Sequence, residues 1–130
     1  MAYNSPLGSF NSDMVAQSYP LSGAAPVPAA TPTYAGTITV DPTLTCFLLV
    51  KATAAVGNCT LKLTSGGSAG QVLSVMFKAD AGGTRTLTFS SYFKVASATI
   101  APTANTAITV FFESDGSNFI EESRSGAITY

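Results

Sequence analysis

Four of the chain's seven carboxylates fall within ten residues: Glu113, Asp115, Glu121 and Glu122, in "ITVFFESDGSNFIEES" (residues 108–123). Two carboxylates about 5 to 9 Å apart, one protonated and one ionised, are the usual machinery of glycoside hydrolysis. That chemistry needs surroundings that raise one pKa and leave the other low. Strand geometry separates these four. Over 107–113, Ile108, Val110 and Phe112 share one face, and Thr109, Phe111 and Glu113 share the other. Glu121 and Glu122 are neighbours, so they point to opposite faces. Asp115 and Gly116 read as the tip of a tight turn, with Asp capping its own turn and Gly taking the positive φ. Glu113 and Glu121 are the pair that can approach across such a hairpin, and nothing near them in sequence would split their pKa values. The stretch reads as a closing hairpin and its rim, against the alternatives of a catalytic pair and a weak Ca²⁺ site.

Other chemistry is sparse. Histidine is absent, which removes the commonest general base and metal ligand and every Ser-His or Cys-His arrangement. Two cysteines, Cys46 and Cys59, are too few for a thiolate zinc site. If 44–51 and 58–64 form a hairpin, the two sulfurs lie roughly 13 Å apart along the ladder, so two buried thiols are expected rather than a disulfide. "TSGGSAGQ" is Gly-rich but lacks the G-K-[ST] ending of a phosphate loop, and reads as a hairpin loop. "SYFK" (residues 91–94) matches S-x-x-K, but in a β context without the companion motifs. "NCT" (58–60) matches a glycosylation acceptor, and stays unmodified in a chain that is not secreted. No catalytic residue, metal or cofactor is expected, and the chain reads as a non-enzyme.

The elements that hold these residues are short strands. "GTITV" (36–40), "LTCFLLVK" (44–51), "NCTLKLT" (58–64), "QVLSVMFK" (71–78), "TRTLTFS" (84–90), "FKVASATI" (93–100, a weaker segment divisible into two pieces), "AITVFFE" (107–113) and "NFIEES" (118–123) alternate with Gly-, Asp-, Asn- and Pro-rich connectors. "LTCFLLVK" is nearly continuous apolar, the pattern of a strand buried on both faces. No helical period stands out, and "LVKATAAVG" has room for one turn at most. No 20–50-residue repeat suggests a solenoid. The pattern predicts an all-β domain over 35–130, a jelly-roll-like sandwich or small barrel of about eight strands.

Before it, residues 1–34 hold five of the seven prolines and read as an extended Pro-rich arm. Its aromatics, Tyr3, Phe10, Tyr19 and Tyr34, are the candidate partner-binding residues; the competing reading is an ordinary flexible tail. Only 10% of residues are charged and the net charge is −1. Such a surface suits a subunit that covers itself with copies or a larger assembly. The six basic residues are scattered, so no nucleic-acid funnel is expected. No apolar run reaches membrane-spanning length, and the first residues do not read as a signal peptide.

A late strand leading through an S-D-G-S-N turn into a final aromatic strand resembles a theme of tailed-phage virion structural proteins. The preceding stretch, "AGTITVDPTLTCFLLVKATAAVGNCTLKLTSGGSAGQVLSVMFK", is similar in its order of strand, polar turn, apolar strand and a "G-Q" entry to the next strand. The resemblance covers residues 36–123 and points to head decoration (cement) proteins, or to β-rich fibre and spike domains. It implies a homotrimer on the capsid surface of a virion, made in the host cytoplasm and bridging major capsid protein subunits. The alternative it implies is a carbohydrate- or receptor-binding module of a tail fibre, spike or baseplate, with Tyr92 and Phe93 stacking on sugars.

Overall fold

The computed structural model describes residues 29–130, which form eleven strands. In chain order these are β1 (Ala29–Ala30), β2 (Thr37–Val40), β3 (Phe47–Lys51), β4 (Cys59–Leu63), β5 (Val72–Lys78), β6 (Leu87–Phe89), β7 (Phe93–Lys94), β8 (Thr99–Ile100), β9 (Thr106–Ser114), β10 (Phe119–Arg124) and β11 (Ile128–Thr129). No helix occurs among the described residues, and the segment after β3 makes one turn, with the Val56 and Gly57 N–H groups donating to Thr53 O. The all-β reading holds: seven of the strands lie inside the expected segments, the 93–100 segment being two short pieces, while β9 overruns its segment by one residue at each end and β10 by one at its C-terminal end. The flanking β1 and β11 had no signal, because two-residue strands carry no alternation.

The connectivity departs from a jelly roll. One sheet has seven strands in the order β1-β3-β5-β9-β10-β7, with β11 also on β9; the other has four, in the order β2-β4-β6-β8. From β1 to β8 the chain changes sheet at every strand. β1, β3 and β5 pair in parallel, as do β2, β4 and β6. This is the winding of a two-sheet β-solenoid, achieved without a sequence repeat, whereas a jelly roll is built from antiparallel strands. Connector length gives the reason. The segments between β1 and β6 run six to eight residues, long enough to cross the roughly 10 Å between packed sheets and longer than a tight hairpin needs. The expected 44–51/58–64 hairpin therefore does not exist. "TSGGSAGQ" is likewise a crossover between sheets, not a hairpin loop.

Between the sheets lies a single core. Leu48 and Val50 of β3, Leu73, Val75 and Phe77 of β5, and Val110 and Phe112 of β9 meet Ile38, Leu61, Leu63, Leu87, Phe89 and Ile100 from the smaller sheet. Each fully buried Leu, Val or Phe contributes about 1.5–3 kcal/mol relative to exposure. Phe89, Phe93 and Phe112 form an edge-on aromatic trio with centroids 4.9 to 5.5 Å apart.

The two outward faces differ. On the small sheet, Thr37, Thr60, Thr88 and Thr99 fall in one register across all four strands, a hydroxyl-lined row. On the large sheet, the outward positions carry Phe47, Leu49, Val72, Met76, Phe111 and Ile120.

Candidate functional site

The hairpin of β9 and β10 carries the four acids, and the fold gives each a separate task. Asp115 opens the 115–118 loop. The N–H groups of Ser117 and Asn118 both donate to its Oδ1 at 2.8 Å. Those two backbone donors, the Asn118 one first, hold its carboxyl below the usual range. Gly116 beside it has φ +98°, as the turn reading requires. Glu121 accepts from Arg124 Nε at 2.6 Å and Nη2 at 2.7 Å, and from the Ala96 N–H at 2.9 Å. The Arg124 guanidinium keeps its carboxyl low, and Arg124 also donates to Ser97 O at 3.2 Å. This ion pair ties β10 to the 95–98 loop. Glu122 is exposed at a bulge, where the register with β9 shifts between Glu121 and Ser123. Glu113 lies outward on β9, between Val72 and Ile120.

Asp115 and Glu121 are thus both held low by their own partners. Glu113 pairs in register with Ile120, not with Glu121, which faces Phe112. Among the described residues no three Asp, Glu or Cys side chains gather around a common point. The hairpin's chemistry is structural: one carboxylate caps a turn and another clamps a loop.

Ser114 is the residue the sequence reading missed. It is buried at 4% exposure, donates its hydroxyl to Gly66 O and accepts from the Gly116 N–H at 2.9 Å. Its backbone bonds with Gly70 and Gln71, each at 2.8 Å, complete the junction. The side-chain amide of Gln71 in turn donates to Pro42 O and accepts from the Ser68 N–H. So the 64–71 crossover wraps the hairpin turn. A Cβ on Gly66 would sit 1.8 Å from Ser117 O. The "G-Q" signal was visible, but nothing in it told which turn it would grip.

The other candidates divide. Ser91 and Tyr92 have φ of +37° and +69° in a three-residue connector that must cross between sheets. Tyr92 is exposed and its carbonyl accepts from Phe119 N–H at 2.8 Å, beside the hairpin turn. Phe93, proposed with it as a sugar platform, is instead in the aromatic core. Lys94 pairs in register with Ile120 and is not set against Ser91 as a nucleophile's base. Cys46 and Cys59 are not joined; they lie on strands or connectors of different sheets, and burial pushes the Cys59 thiol up.

Tyr3, Phe10 and Tyr19 lie outside the described residues. Tyr34 does not belong with them. It is 7% exposed, its ring stacks on Phe77 at 6.1 Å, and its hydroxyl donates to Gly57 O at 2.5 Å. The body thus takes in residues that had been assigned to the arm, from β1 through Tyr34. No protein-family model matches this chain, and no curated protein matches it.

Proposed function

We propose that the protein is a non-enzymatic structural subunit of a bacteriophage virion, a decoration protein that strengthens the shell by bridging capsid subunits. The observation that carries this reading is the use of the acids. The residues best suited to catalysis are held in a turn cap and a loop clamp, while the large sheet turns an apolar face outward. The low charge and the resemblance of residues 36–123 to virion proteins support it. Self-association belongs to the same reading, since a subunit that bridges neighbours gains from several linked attachment points.

The test is mass spectrometry of purified particles, with copy number taken relative to the major capsid protein. A stoichiometric, shell-bound protein is expected. Removing residues 1–28 stops short of β1 and Tyr34, so the body is expected to fold while incorporation is lost. Absence of the full-length protein from particles overturns the reading. Tyr92, exposed beside the hairpin turn, favours a second one, a carbohydrate-binding module of the tail. Recovery with tails, and glycan binding abolished by Tyr92→Ala, would select it.

A further inference from the structure

We infer that the outward face of the large sheet is a self-docking surface on which a second copy packs, two-fold related and with strands running in opposite directions. The inference concerns the isolated protein and is independent of its place in a virion.

The first argument is composition against burial. β3 reads as a strand covered on both faces, yet Leu48 and Val50 are fully buried while Phe47 and Leu49, facing outward, are only half-buried. Among the described residues, the cover that their side chains call for is incomplete on that side. Their neighbours continue the surface. In register across the sheet run Phe47, Ser74 and Phe111, then Leu49, Met76 and Thr109. Val72 and Ile120 flank Glu113 at one end. Val72 is 56%, Phe111 44% and Ile120 41% exposed. The hydroxyl-lined outer face of the small sheet shows that apolar residues are not the general character of this molecule's exterior.

The second argument is charge. At the Glu113 end the face carries a carboxylate, with Lys94 at the sheet edge beyond Ile120; at the far end Lys51 and Lys78 lie side by side in register with no acid in their row on β3, β5 or β9. Two like charges directly opposite on adjacent strands are unfavourable alone. A two-fold axis lying in the interface, across the strands, places the Glu113 end of one copy over the Lys51 and Lys78 end of the other. The pairing occurs twice, as an isologous interface requires. Lys78 keeps its contact with the Tyr130 ring, 4.0 Å from the centroid.

Four strands at 4.8 Å and six residues of strand length give a face of about 400 Å² in plan. That is large for an exposed apolar patch on a monomer but below the roughly 800 Å² per partner of a standard interface. The pair is accordingly weak and concentration-dependent, and it closes at two copies, unlike the threefold arrangement that the resemblance implies.

Sedimentation equilibrium of the full chain tests this. A monomer–dimer equilibrium with Kd tighter than about 1 mM is expected. Phe111→Glu, at an exposed position, should give a monomer with an unchanged far-UV spectrum. Glu113→Lys should weaken pairing about tenfold by setting like charges together, and adding Lys51→Glu and Lys78→Glu should restore it. A wild-type protein that stays monomeric at about 1 mM, a trimer mass, or a Glu113→Lys variant that pairs as well as wild type overturns the proposal.

Discussion

Tyr34 is where local sequence and final position disagree most. In a Pro-rich segment it reads as an arm residue offered to a partner, yet its ring closes the core against Phe77 and its hydroxyl reaches Gly57 across 23 positions. Nothing near it in sequence announces that contact. Burial, first of all, pushes its pKa up to about 12. The folded form thus holds the proton more tightly than the unfolded chain, whose tyrosine ionises near 10. The stabilisation is fully present below about pH 10 and is lost as pH rises toward 12. Tyr34→Phe is expected to cost about 1 kcal/mol at neutral pH through the lost hydrogen bond and to flatten this alkaline loss. Chemical denaturation at pH 7 and at about pH 11 measures both. Asp115 and Gly116 are the contrasting case. Their roles need only their own turn, and the sequence alone is enough to assign them.

At the scale of elements, the strands were legible and their partners were not. Alternation of Leu61 and Leu63 with Thr60 and Lys62 tells which residues face inward, and it does so equally for parallel and antiparallel neighbours. The connectors held the missing information, in their length rather than their composition. A loop rich in Gly and Ser reads as a hairpin turn, but eight residues between β4 and β5 span two sheets. The 64–71 crossover and the 115–118 turn are then built as one unit around Ser114. Gly66→Ala forces the two backbones apart, because the added carbon meets the Ser117 carbonyl rather than a movable side chain. A loss of about 3 kcal/mol or more is expected, read as a lowered urea midpoint. Ala at Gly70, where the added carbon meets nothing within 4 Å but φ is +86°, should cost only about 1 kcal/mol.

For the whole molecule, the decisive fact is that strands adjacent in sequence do not pair until β9 meets β10, among the described residues. Every other ladder joins segments separated by at least one intervening strand, and loop closure must precede any gain from them. The hairpin is the cheapest structure for the chain to form first. Gly116→Ala, strained at φ +98°, should therefore slow refolding. Leu61→Ala, at a fully buried position of β4, should cost roughly 2–5 kcal/mol and act mainly by speeding unfolding. Stopped-flow chevrons of the two variants distinguish these limbs, and equal effects on folding rate would reject a hairpin nucleus.

The same winding bears on how the chain leaves the ribosome. Synthesis proceeds from β1 toward β11, so the one local ladder emerges after β1 to β8. Until Ser114 has cleared the exit tunnel β5 lacks its antiparallel partner β9, and until Arg124 has cleared it β7 lacks β10. The nascent chain therefore carries exposed strand edges and few charges to keep neighbouring chains apart. A protein wound in this order depends on rapid release or on a holding chaperone more than a meander of the same composition would.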